Sequence, residues 1–204
     1  MNILSNCCFV GDLCENKHIQ YFTPFVWNTF FPDDIKVLIK EYKNIDFSKI
    51  QLVKFKNTKY YGLKIDDKLT VYYVHYLYAN HDGLKRDNYL KEVTGRDIET
   101  YIVESYKRRL ARLNINEKPK FIFISNREAH ANILGRQETE CEWQEIIDLL
   151  KAEGYEGIVF TKFDNLHENE NVKVVKITND NPRVTLEQNL PLVDEFISKQ
   201  IKDK

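Results

Sequence analysis

Glycine is scarce in this chain, seven residues among 204, and that shortage excludes one kind of chemistry. A glycine-rich loop lets backbone N–H groups close around a phosphate. Neither G-x-G-x-x-G nor G-x-x-x-x-G-K-[ST] occurs, so a nucleotide cradle of that kind is ruled out. G-x-S-x-G and H-E-x-x-H are missing as well, which removes the nucleophile-elbow hydrolases and the helix-borne zinc proteases. The four cysteines are Cys7, Cys8, Cys14 and Cys141, and no two make a C-x-x-C pair. Adjacent Cys7 and Cys8 do not frame a disulfide scaffold, and no His/Cys/Asp cluster has metal spacing. Reduced thiols, a cytoplasmic location and no bound metal are therefore expected. No run nears the roughly 20 apolar residues of a membrane span. Strand-like Ile3-Leu4 is followed at once by polar Ser5-Asn6, so no signal peptide is expected either. Charge of one sign is not in excess: 30 basic residues face 31 acidic ones. A nucleic-acid partner needs a basic surplus on one face, so none is expected. The residues name no cofactor and do not address the oligomeric state.

Apolar residues and aromatics are plentiful and evenly spread. With 12 Tyr and 12 Phe they suit a single domain over residues 1–204 with one well-filled core. Residues 7–31 hold Pro24 and the aromatics Tyr21, Phe22, Phe25, Trp27, Phe30 and Phe31, and short helical turns are expected there. Ile35, Leu38, Ile39 and Tyr42 follow at helical spacing after Pro32-Asp33. Three strands come next, 51–56, 60–65 and 69–76, separated by hairpin-length turns, so they form an antiparallel meander. A helix spans about 97–113, and strand 120–124 follows Pro119. Thr139-x-x-Glu142 is a capping box for a helix carrying Trp143, Ile146, Ile147 and Leu150, which Gly154 closes. Strands 157–161 and 173–178 follow, then a helix from about Pro191. Alternating strands and helices predict a three-layer α/β/α domain. Its sheet is expected to be mixed and partly parallel, with about six or seven strands including the meander.

Ligands of open α/β sheets bind beyond the carboxyl ends of the parallel strands. That rule singles out Ser5, Asn6 and Cys8 after the first strand, and Ser125, Asn126 and Arg127 after the central one. Two strand ends carry the same Ser-Asn pair, and hydroxyl plus amide suits recognition of a sugar. Alternatively, each pair caps a turn. His75, with Tyr73 and Tyr76 beside it, is either a core histidine or a general base. Cys8 is an inert buried thiol unless a neighbouring base activates it. Arg109 and Arg112, three apart on one helix, either clamp a phosphate or carboxylate or form a solvated face.

Four stretches are familiar in combination: Ile3-Leu4-Ser5-Asn6-Cys7-Cys8 with Gly11, Tyr21-Phe22-Thr23-Pro24-Phe25, Val74-His75-Tyr76, and Tyr106-Lys107-Arg108-Arg109 with Arg112-Leu113-Asn114. In that order they resemble a family of uncharacterised bacterial proteins, domain-of-unknown-function family nineteen-nineteen. Its members are often labelled exopolysaccharide biosynthesis proteins. Phe123-Ile124-Ser125-Asn126-Arg127-Glu128 looks like that family's strand and following polar turn, with Asn126 departing from its Asp. Cys7 replaces an Asn and Tyr106 a Trp of the family pattern, so roles needing those residues do not carry over. The resemblance covers roughly residues 3–130. It implies one α/β domain and a setting in surface-carbohydrate synthesis, and brings no established reaction.

The leading expectation is a transferase of surface-polysaccharide assembly acting on a small carbohydrate or phosphate-bearing ligand. Ser5, Asn6, Ser125 and Asn126 hold hydroxyls in it, Arg109, Arg112 and Arg127 hold phosphate or carboxylate, and His75 is the base. Cys8 and Tyr76 complete the candidate set. The rivals are a non-catalytic carbohydrate- or nucleotide-binding protein using the same pocket, and a structural subunit that uses the aromatic segment 21–31 as contact surface.

Overall fold

Strand β6 (Lys120–Ile124) is buried at every position, as expected of a central strand of a covered parallel sheet. A computed structural model of the chain describes residues 2–6, 28–54, 61–73, 98–125, 135–179 and 182–199. β1 (Ile3–Ser5) lies on one side of β6. On the other side come β7 (Glu156–Thr161) and then β8 (Val172–Lys176). The order is β1-β6-β7-β8 and every pairing is parallel.

The meander makes a sheet of its own. β3 (Ile50–Lys54), β4 (Tyr61–Ile65) and β5 (Leu69–Tyr73) pair antiparallel, and β2 (Asn28–Thr29) joins β5. The single mixed sheet read from the sequence is therefore two four-stranded sheets among the described residues. The outer edge of β5 shows why the two do not merge. β2 takes its end at Tyr72 and Tyr73. At Thr70 the free N–H is taken by the Asp34 carboxylate, at 3.0 Å, so this edge has little left to offer β1. β2 itself sits where helical turns were expected, because an open strand edge recruits neighbouring chain more strongly than local propensity opposes it. The β4–β5 hairpin turns at Asp66 and Asp67, with φ of 51° and 55°, and Lys68 N–H bonds the Ile65 carbonyl. Two successive left-handed residues are the signature of a type I′ turn, which Asp tolerates.

Helix α1 (Pro32–Glu41) buries Ile35, Leu38 and Ile39. Helix α2 is Ile98–Leu110 and α3 is Glu140–Ala152. The predicted capping box of α3 is present: Thr139 Oγ1 accepts from Glu142 N–H, and the Glu142 carboxylate accepts from Thr139 N–H. Gly154, at φ +67°, ends α3 with Gly154 N–H on Lys151 O and Tyr155 N–H on Leu150 O. That pair of bonds is a Schellman motif, which requires the left-handed conformation glycine adopts without strain. The chain closes with α4 (Pro182–Gln188) and α5 (Leu190–Ser198). α4 was not foreseen; Pro182 at its first turn was the available signal.

Alternation along the parallel strands sends side chains to two clusters. Leu4, Phe121, Phe123 and Val159 join α1, α3, Tyr106 of α2 and the inner residues of the antiparallel sheet. Ile3, Ile122, Ile124, Ile158 and Phe160 pack on Leu186 of α4 and on Val193 and Ile197 of α5. Lys120 shares the second face. It is 2% exposed, donates to the Phe196 carbonyl in the last turn of α5, and lies 4.5 Å from the Phe196 ring centroid. A cation there answers both an orphan carbonyl and the negative end of the helix dipole. Lys120→Met is expected to cost about 1–3 kcal/mol in a urea melt, because the apolar stem is replaced but the carbonyl loses its donor. A loss below ~0.5 kcal/mol would show that water takes over that carbonyl.

Candidate functional site

The carboxyl ends of β1, β6 and β7 lie side by side, so the first-strand and central-strand candidates share one edge. They are not level. Ser5 pairs with Ile122, and Ser125 lies three residues further on, about 10 Å along the strand. Asn6 bridges the gap. Its side-chain Oδ1 accepts from Ile124 N–H and its Nδ2 donates to Ile124 O, both at 2.8 Å. One amide thus mimics a further strand residue and extends the ladder past the point where the β1 backbone leaves it. Asn6 is 0% exposed and Ser5 is 1%.

On the next strand pair, Ser125 N–H continues the ladder to Phe160 O at 2.8 Å. The Ser125 hydroxyl donates to Thr161 Oγ1 at 2.6 Å, and Phe163 N–H donates to the same oxygen at 3.0 Å. Ser125 and Thr161 are as buried as Asn6. They lie on the Phe121–Phe123 face, the face α3 covers. Thr161 was legible as the residue leaving the next strand, but its hydroxyl contact across β6 and β7 was not.

Glu138 escaped sequence reading altogether. It is 5% exposed and accepts from Trp143 Nε1 at 2.9 Å, while the Trp143 ring sits edge-on to Phe123 at 6.1 Å. A glutamate before a capping box reads as solvated surface. The buried indole N–H, itself in need of a partner, draws the carboxylate in.

Asp34 is the other carboxylate of note near this edge. Burial is the largest influence on it and pushes it up to about 6; the Thr70 N–H opposes this, Asp33 adds to it, and the Phe31 N–H opposes it. A folded pKa above the unfolded value means the native state binds the proton more tightly. Stability from this group is therefore full below pH ~4 and declines as pH rises to about 6. Asp34→Asn keeps an acceptor for Thr70 N–H without the charge. It is expected to match or exceed the parent by about 1–3 kcal/mol at pH 7 and to lose that advantage at pH 4. Chemical melts at both pH values check this; an advantage confined to pH 4 would contradict the sign. Glu142 goes the other way: burial raises it, but the Arg136 guanidinium at 2.7 Å and the Thr139 N–H and hydroxyl outweigh that and hold it low.

The arginine pair does not join this edge. Asn114, just past α2, accepts from Asn2 Nδ2 at 2.6 Å, and Asn2 precedes β1 at its amino end. The last turn of α2 therefore lies at the amino edge of the sheet, because a helix leading into a parallel strand ends where that strand begins. Arg109 and Arg112 sit on that turn and just beyond it, with the Arg109 guanidinium 5.9 Å from the Tyr106 ring centroid. Their convergence with Ser125, expected from the sequence, is not what the described residues show. Cys8, His75, Tyr76, Asn126 and Arg127 lie outside the described residues. Among the described residues, no group of three or more His, Cys, Asp or Glu side chains is placed to hold a metal ion, and no helix is long and apolar enough to cross a membrane. No protein-family model and no curated protein matches the chain.

Proposed function

We propose that this protein binds a carbohydrate, free or activated, at the carboxyl edge of its parallel sheet. It does so as part of surface-polysaccharide assembly in the bacterial cytoplasm. In this reading the chain is a three-layer α/β/α unit, and its activity is transfer of a sugar. The observation that carries the reading is the Ser125–Thr161 hydroxyl pair, held between two adjacent parallel strand ends. The resemblance of residues 3–130 to the exopolysaccharide-associated family supports the same direction.

A binding protein without turnover is the second reading, and one observation favours it. The Ser125–Thr161 pair is made of hydroxyls, which hold a ligand without exchanging protons near neutral pH. His75 would supply the base that transfer needs.

The test is a thermal-shift titration with hexoses, short oligosaccharides and nucleotide sugars. At 100 times Kd a ligand adds about 2.7 kcal/mol of stability, which raises Tm by several degrees. Ser125→Ala is expected to abolish that rise while leaving the unliganded Tm within about 4 °C of the parent, since only one hydroxyl bond is lost. A sugar-induced shift retained in Ser125→Ala would move the site elsewhere. Once turnover is measured, its loss in His75→Ala supports transfer and its survival supports the binding protein.

A further inference from the structure

The antiparallel sheet carries a groove of its own, beside α2. We infer that this groove is a second ligand site, which takes a small hydroxylated carboxylic acid about the size of a single sugar. The inference does not depend on the carboxyl edge of the parallel sheet.

The groove has a volume of about 240 Å³. It is lined by residues 48–51 around the start of β3, by Lys64 of β4 with the Asp66-Asp67 turn, and by Lys107 of α2. Drug-sized ligands, nucleotides among them, occupy roughly 300–1,000 Å³. The groove is too small for those and has room for one sugar ring.

Backbone groups are offered to it. Among the described residues β3 is the outer strand of its sheet and pairs with β4 alone. Lys49 O accepts from Asp66 N–H at 2.9 Å, and this bond fixes the phase of the ladder. In an antiparallel pair only every second residue exchanges bonds with its partner. Lys49 and Gln51 therefore face β4. Ile50, between them, turns its N–H and C=O away from β4, towards the open edge of the sheet. Ile50 also lines the groove, so one residue brings it a donor and an acceptor at fixed spacing.

The charges are unequal. Lys49 Nζ lies 3.1 Å from Asp66 Oδ1 and 3.4 Å from Asp46 Oδ2, and Lys64 Nζ lies 2.9 Å from Asp67 Oδ1. Those two lysines are already neutralised. Lys107 is exposed, and among the described residues no carboxylate pairs with it. Its neighbour Tyr106 is buried in the core, and the step of about 100° to the next helical residue turns Lys107 outwards. The helix end does not use up its charge, because the carbonyls of Lys107, Arg109 and Leu110 accept from the N–H groups of Ala111, Arg112 and Leu113. A complementary ligand therefore carries one negative charge, a carboxylate for Lys107. Its hydroxyls meet the Ile50 backbone, the Gln51 amide and Ser48 Oγ, which donates to Asp46 Oδ1 and can still accept. A phosphate dianion would bring a second charge with no cation to meet it, close to Asp66 and Asp67.

Isothermal titration of the full chain at low salt with glucuronate, glucose and glucosyl phosphate tests this, in the parent and in Ser125→Ala. Ser125→Ala is expected to leave glucuronate binding unchanged, which separates the groove from the carboxyl edge. In that variant glucuronate is expected to bind at least about tenfold more tightly than glucose, as one charge-assisted bond allows. Lys107→Gln is expected to weaken glucuronate about tenfold, and Lys107→Arg to keep most of the affinity. Lys107 is exposed, so neither variant puts folding at risk. Glucose bound as tightly as glucuronate in Ser125→Ala, or a Lys107→Gln protein that binds glucuronate like the parent, overturns the site. Glucosyl phosphate bound more tightly than glucuronate overturns the single-charge ligand. Absence of glucuronate binding overturns the proposal outright, whatever becomes of the carboxyl edge.

Discussion

Replacing Trp143 by alanine is expected to cost about 3–5 kcal/mol in chemical denaturation, a third or more of the stability of an ordinary domain. Trp143 is the largest fully buried side chain among the described residues. Its ring fills the space between α3 and β6, edge-on to Phe123. Alanine removes that contact and leaves a cavity that rigid neighbours on a four-stranded sheet cannot close. It also strips buried Glu138 of its indole donor. Trp143→Phe separates the two losses: most of the volume stays, but the carboxylate loses its indole donor, at a cost of about 1–3 kcal/mol. A Trp143→Ala loss below ~1 kcal/mol would mean that the indole is not packed against Phe123 as described.

The second large effect belongs to Asn6. Its amide satisfies both backbone groups of Ile124 in a site closed to solvent. Asn6→Ala strands a buried donor and a buried acceptor, and is expected to destabilise by about 2–4 kcal/mol. Hydrogen exchange localises the effect: the Ile124 amide should lose protection ahead of the Phe123 amide, which the ladder still holds. Asn6→Asp is the sharper probe. Its carboxylate can accept from Ile124 N–H but repels Ile124 O, whereas the protonated acid can donate to it. The introduced carboxyl therefore has a raised folded pKa, and the variant should recover stability as pH falls, opposite to ordinary acid unfolding. A loss that grows steadily towards acid would show that Ile124 is not the partner.

These two residues also mark how far the sequence could be read. Trp143 belongs to a helical stripe with Ile146, Ile147 and Leu150, begun by Thr139-x-x-Glu142 and ended by Gly154. Stripe, capping box and stop were all legible and all are present. The same holds for the α1 stripe and for β6, whose unbroken apolar run announces a strand covered on both faces. Asn6 was legible only as a polar residue leaving a strand. Whether its amide faces a ligand or a neighbouring backbone depends on the register of β1 against β6, a contact between residues 118 apart in sequence.

The sequence by itself determined the α/β class, the parallel placing of β6 and β7 around α3, the meander, and the strand ends where polar groups collect. Those features follow from periodicity and capping, which act within a few residues of one another. Tertiary structure alone decided that the meander stands as a separate sheet, because β2 and the Asp34 carboxylate occupy the β5 edge. It decided that Arg109 and Arg112 face the amino edge, because the helix bearing them ends where β6 begins. It also buried Glu138 under Trp143 and set Ser125 against Thr161. Each is a pairing of groups distant in the chain, selected by which donors, acceptors and apolar faces remained unsatisfied once the local elements had formed.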